Sequence, residues 1–236
     1  PASVPDLGLP PLPPFPTFVP DAGLAAVSGR RSGGVAVFGD SLALQAWPYL
    51  EAIADRQGRS LSGAAYGGAA LCDWFPAMRD VLLEDRPAEL VLAFAGNNLT
   101  PCVAMPSGER AWGEDLAANY VRDATFAVGL ARATGAHVTV VGPPDMGREP
   151  QATHARLLRE AFDQLSRDLD MAYVDAASVL SAGGYDTTQA CLDFERDLGC
   201  SGGRITVRAG DGVHLSSPDS AGYSGGAWRY ATLLLD

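Results

Sequence analysis

Catalysis by a side-chain hydroxyl needs a base within hydrogen-bond reach, a group that orients that base, and donors for the developing oxyanion. The chain has three histidines, so the search for the base is short. His137 lies inside the apolar run His137-Val138-Thr139-Val140-Val141 and reads as a core or sheet-edge residue. His154 falls on a charged amphipathic stretch and reads as solvated. His214 follows Asp211 by three residues in the loop Asp211-Gly212-Val213-His214. One turn at that spacing lets the carboxylate fold back onto the imidazole and fix its tautomer. The candidate nucleophile is Ser41, in Val35-Ala36-Val37-Phe38-Gly39-Asp40-Ser41-Leu42. A serine there can equally be a helix cap, since it stands between an apolar strand and a helical pattern. Gly68 and Asn97 are candidate oxyanion donors, one through a backbone N–H unobstructed by a side chain, the other through its amide.

The elements that must position these residues follow from periodicity. Apolar runs at Val35–Phe38, Arg59–Ala65, Leu90–Ala95, His137–Val141 and Ala172–Val174 read as strands. Helical patterns lie between them, over about 42–57, 73–84, 114–133 and 151–169, and a final helix is expected over 221–235. Five strands alternating with helices, each strand ending in a Gly-, Asn- or Pro-rich loop, predict a five-stranded parallel sheet with helices on both faces. In such a sheet Ser41, Gly68 and Asn97 project from one carboxyl edge, where open α/β sheets place their ligands. A possible further strand covers Arg204–Arg208.

The 236 residues suffice for one generous core, and the 47% hydrophobic and 19% charged content suits a single globular domain. Residues 1–32, with eight prolines in the first twenty, read as an arm or linker, and 33–236 as the domain. The chain does not begin with Met, so an upstream membrane anchor or fused domain is an expectation. A net charge of −11 argues against nucleic acid and anionic membrane surfaces as partners. No apolar run approaches the roughly 18–20 residues of a membrane span. There is no C-x-x-C, H-E-x-x-H, P-loop, or strand-borne G-x-G-x-x-G, so no metal or cofactor is expected.

Four cysteines, Cys72, Cys102, Cys191 and Cys200, suit two disulfides in an oxidising compartment, hence a secreted or extracytoplasmic protein. Three pairings are open, and the most economical joins Cys72 to Cys102 and Cys191 to Cys200. Trp74 and Phe75 are expected either to pack in the core or to form a platform at the site. Asn98-Leu99-Thr100 matches a glycosylation acceptor, but the following Pro101 and the nearby candidate site argue against its use.

Four blocks in order carry a resemblance: Gly39-Asp40-Ser41-Leu42, Gly67-Gly68, Gly96-Asn97-Asn98 and Asp211-Gly212-Val213-His214. On these the chain resembles the SGNH hydrolase superfamily, also called the GDSL esterase/lipase family. The resemblance implies a flavodoxin-like three-layer α/β/α sandwich. It also implies Ser41 as nucleophile, His214 as base, Asp211 as its orienting acid, and an oxyanion hole from the N–H groups of Ser41 and Gly68 and the side chain of Asn97. Ala64, Ala65 and Ala69 stand where the second block usually carries polar residues, which leaves Gly67 beside Gly68 as a candidate. Ala43 stands where an α/β-hydrolase elbow would have its last glycine. In this frame a Cys72–Cys102 bridge would tie two oxyanion loops together. The expected function is a serine esterase acting on small-molecule or glycan acyl esters. The alternatives, in order, are an O-acyltransferase acting on a glycan hydroxyl and a non-catalytic carbohydrate-binding module.

Overall fold

The computed structural model describes residues 25–27, 33–181, 183–198, 200–218 and 222–236. The elements run β1 (Ala25–Val27), β2 (Val35–Gly39), α1 (Ser41–Arg56), β3 (Leu61–Ala65), α2 (Phe75–Glu84) and β4 (Glu89–Ala93). They continue with α3 (Gly113–Thr134), β5 (His137–Gly142), α4 (Gln151–Leu169), β6 (Ala172–Asp175) and α5 (Ala177–Leu180). Last come β7 (Thr188–Ala190), β8 (Arg204–Thr206) and α6 (Gly225–Leu235).

The main sheet has the order β1-β3-β2-β4-β5-β6. Strands β2 to β6 are parallel, as the alternation of elements predicts, and β1 adds an antiparallel edge against β3. Three residues of the expected N-terminal arm therefore pair with the sheet. The proline-rich run 1–20 lies outside the described residues.

Alternation along the strands divides the core in two. Ala36, Phe38, Leu90, Leu92, Val138 and Val140 face α2, α3 and α4, whereas Val35, Val37, Val91, Ala93 and Val141 face α1, α5 and α6. Strands buried on both faces explain why β2 and β4 read as continuous apolar runs rather than alternating ones. The result is a three-layer α/β/α sandwich.

Beyond α5, where the sequence pattern lapses, the described residues form a small outer unit. Strands β7 and β8 pair antiparallel, and a Cys191–Cys200 disulfide closes the loop between them. A buried ion pair, Arg229 Nη2 to Glu195 Oε2 at 2.6 Å, fastens this unit to α6. Glu195 also accepts from the Leu192 N–H and the Tyr223 hydroxyl, so its buried charge is fully hydrogen-bonded.

Candidate active site

The register of the sheet sets the site. Gly39 pairs with Ala65 on one side and with Ala93 on the other, so β2, β3 and β4 end at one level. Ser41, Gly68 and Asn97 follow two, three and four residues later. A Cβ on Gly39 would come within 2.4 Å of the Ala43 Cβ and 2.7 Å of the Ala93 carbonyl oxygen, so only glycine fits this tight strand-to-helix turn.

The helix cap is Asp40, not Ser41. Asp40 Oδ1 accepts from the Leu42 N–H at 3.0 Å, and Ser41 is the first residue of α1. Asp40 is fully buried, and its Oδ2 accepts from the Ala95 N–H at 2.7 Å and from Asn97 Nδ2 at 3.0 Å. Because both oxygens already accept from backbone N–H groups, the Asn97 face toward Asp40 is its NH2. One Asn97 hydrogen is thereby fixed. The other has only a long contact, 3.4 Å, with the Ala69 carbonyl. The Asn97 carbonyl oxygen of the main chain accepts from the buried Tyr120 hydroxyl at 2.9 Å.

Gly68 takes φ +84°, the left-handed region, in a turn closed by the Ala69 N–H to the Tyr66 carbonyl. Among the described residues no other backbone group takes up the N–H of Gly67 or Gly68. Just beyond this turn, a Cys72–Cys102 disulfide joins the 3₁₀ turn Leu71–Trp74 to the 3₁₀ turn Pro101–Val103. Both expected cysteine pairings are thus present. The chain-entropy account assigns about 3–4 kcal/mol to the 30-residue loop and about 2–3 kcal/mol to the nine-residue loop. Urea unfolding should therefore show Cys72→Ala/Cys102→Ala losing more stability than Cys191→Ala/Cys200→Ala. The reverse order would contradict the account.

His214 brings the C-terminal turn to the same edge. Ser41 Oγ lies 3.1 Å from His214 Nε2, and His214 Nδ1 lies 2.6 Å from Asp211 Oδ2. Burial alone would raise the Asp211 pKa, but the N–H groups of His214 and Val213 and the imidazole outweigh it, holding the carboxyl well below the usual carboxylate range. An ionised Asp211 accepts only, so Nδ1 carries the imidazole proton and Nε2 is free to accept from Ser41.

Two residues that the sequence did not mark hold this turn. Gln45, one helical turn beyond Ser41, accepts from the Leu215 N–H at 3.0 Å. The buried Arg208 guanidinium donates to the carbonyls of Val213 (2.7 Å), His214 (3.2 Å) and Asp145 (2.9 Å). Both act on backbone atoms, which leave no motif. Asp40 was visible only as part of the first block.

The site opens into a cleft of about 470 Å³ whose walls include Ser41, Gly68, Asn97 and His214 together with Leu99, Trp112 and His154. His154 departs from the sequence reading. It is 6% exposed, because its ring lies against Trp112, with centroids 5.1 Å apart. Burial lowers its pKa, partly offset by Glu149, so it is neutral at pH 7. His137 is also different from expectation, since it begins β5 with an exposed side chain. Trp74 and Phe75 are core residues: Trp74 Nε1 donates to the Gly39 carbonyl, and Phe75 packs on Phe126. Asn98 is buried and donates to the Ala111 carbonyl at 2.8 Å, so its amide is engaged.

Comparison with known proteins agrees with this architecture. Its fold is shared with a GDSL-like lipase from Bacteroides thetaiotaomicron (TM-score 0.57, 14% identity, 85% of each chain covered). A lipase/acylhydrolase from Enterococcus faecalis has TM-score 0.56 and 15% identity over 86% of this chain and 93% of that one. An acetyl xylan esterase has TM-score 0.58 and 16% identity over 85% of this chain and 98% of that one. No curated protein matches the chain by sequence. Residues 34–224 match the family described as "Protein of unknown function (DUF459)", and the chain, built on the SGNH-hydrolase fold, belongs to that family.

Proposed function

We propose that this domain is a serine ester hydrolase working through an acyl-enzyme on Ser41. The observation that carries the reading is the continuous relay from Ser41 Oγ through His214 to Asp211, with links of 3.1 and 2.6 Å. Ser41 Oγ attacks the ester carbonyl carbon while its proton passes to His214 Nε2. Asp211 stabilises the imidazolium. The tetrahedral oxyanion accepts from the N–H groups of Ser41 and Gly68 and from the second hydrogen of the Asn97 amide, which gives up its long contact with the Ala69 carbonyl. Collapse breaks the C–O bond, and His214 returns the proton to the departing alcohol. Water, deprotonated by the same imidazole, then releases the acid.

The likeness to an acetyl xylan esterase supports short acyl groups carried on carbohydrate as the substrate class. Trp112, 46% exposed on the cleft wall, offers a face for a sugar ring. The Asp211 and His214 side chains are 43% and 39% exposed, so water reaches the acyl-enzyme; this favours hydrolysis over transfer to a second alcohol. Two disulfides support an extracytoplasmic location. Among the described residues no helix is long and apolar enough to cross a membrane.

The test is a panel of 4-nitrophenyl esters from acetyl to decanoyl together with acetylated xylan, each with and without an added sugar acceptor. Hydrolysis favouring the acetyl esters is expected. No hydrolysis of any ester would overturn the proposal, and acyl transfer outrunning hydrolysis would replace it with the acyltransferase.

A further inference from the structure

The chain carries 28 acidic residues against 17 basic ones, yet none of the residues lining the cleft is an aspartate or glutamate. Its one full positive charge is Arg148. The Gly147 N–H donates to the Gly212 carbonyl at 2.7 Å, and a Cβ on Gly212 would lie 3.3 Å from the Arg148 Cγ. The arginine stem therefore rests against the turn that carries Asp211 and His214. Arg148 is exposed, and among the described residues it has no carboxylate partner.

Beside it the first turn of α4 faces the same cleft. Its cap position is Pro150, which offers no side-chain acceptor to the helix N–H groups. The Thr153 N–H is taken by Glu149 Oε2 at 3.2 Å and the Ala152 N–H by the Arg148 carbonyl. His154 and Gln151 both line the cleft. His154 as a residue is 6% exposed, its ring packs on Trp112, and its side chain makes no hydrogen bond among the described residues. Gln151 Oε1 is buried without a partner. An amide oxygen only accepts, so it suits a ligand hydroxyl, whereas the His154 ring N–H can donate to an anion.

We infer that Arg148, together with His154 on the first turn of α4, forms a subsite for a carboxylate carried by the ester substrate. The planar guanidinium fork matches a carboxylate bidentately, and a neutral imidazole N–H adds a donor without adding a second full charge. One formal positive charge suits a monoanion better than a dianionic phosphate. The carboxylate can lie on the acyl half, as in a dicarboxylic half-ester, or on the alcohol half, as in a uronic acid. This inference rests on the esterase proposal for its catalytic consequence, but not for binding.

Two substrate pairs separate the sources: O-succinyl against O-butyryl methyl glucoside, and O-acetyl methyl glucuronide as its carboxylate against O-acetyl methyl glucoside. The wild-type protein should favour the anionic member of one pair by about tenfold or more in kcat/KM, the scale of a charge-assisted hydrogen bond. Arg148→Gln should bring that ratio to near unity, and Arg148→Lys should restore part of it. Ratios at or below one in both pairs, or a preference that survives Arg148→Gln, would overturn the inference. A second readout does not depend on turnover. In Ser41→Ala protein, succinate or glucuronate should bind about tenfold more weakly once Arg148→Gln is added, whereas glucose should not distinguish the two. If all four esters resist hydrolysis, the esterase proposal fails and this binding comparison alone decides the subsite: equal affinities reject it, and the expected difference upholds it.

Discussion

Ser41→Ala is expected to lower kcat for ester hydrolysis by on the order of 10⁴- to 10⁶-fold while leaving the unfolding midpoint unchanged. The side chain supports this separation. Its Oγ makes its hydrogen bond to His214, which stands on a partly exposed turn, and Asp40 rather than Ser41 caps α1. Deleting Oγ removes the proposed nucleophile without orphaning a buried group. His214→Ala should cost a similar factor, and Ser41→Ala/His214→Ala should be no worse than either alone, because residues acting as one unit are not additive. Losses that multiply in the double variant would show that the two act independently and would break the proposed relay.

Asp40→Asn should damage both fold and chemistry. Asp40 accepts from three N–H donors in a fully buried position. An asparagine presents one NH2, so in either rotation at least one donor faces another donor. A buried donor without a partner costs about 1–3 kcal/mol. If the side facing Asn97 is the one lost, the amide turns and the oxyanion loses a donor, which typically lowers kcat by about 10²- to 10³-fold. The effect should appear in kcat with KM little changed, a split that general destabilisation would not produce.

Protonation provides a second signature. Burial pushes the Asp40 carboxyl from 3.8 up to about 6, against the pull of the Ala95 and Leu42 N–H groups. The folded state thus holds this proton more tightly than the unfolded chain. Stability contributed by Asp40 is present below about 3.8 and is lost as pH rises through about 6. Its effect on activity has the opposite sign, because only the carboxylate orients Asn97. The difference in unfolding free energy between wild type and Asp40→Asn should slope across that window, and a flat difference would contradict the assignment.

The sequence made the parallel sheet legible because the stretches Val35–Phe38 and Leu90–Ala93 are buried on both faces and read as unbroken apolar runs. It made the grouping of Ser41, Asp211 and His214 legible because the last two are close in sequence and the first opens a helix just past a strand end. What it hid depended on distant contacts. His154 sits on a helix whose charges suggest solvent, and only the fold brings Trp112 over its ring. Arg208 looks like a surface arginine until the Asp211–His214 turn wraps its carbonyls around the guanidinium. The small β7–β8 unit rests on a disulfide and on a Glu195–Arg229 pair 34 residues apart, neither of which has a periodicity to read. Ser41 looked like a helix cap for a local reason, yet its neighbour performs that task and leaves the hydroxyl for His214.

An activated serine reacts with fluorophosphonates, so covalent labelling reads the proposed role of Ser41 at the residue itself. Wild-type protein treated with a fluorophosphonate should carry one adduct, located on Ser41 by peptide mass spectrometry, and His214→Ala should label far more slowly. An adduct on another residue, or equal labelling rates with and without His214, would contradict the account.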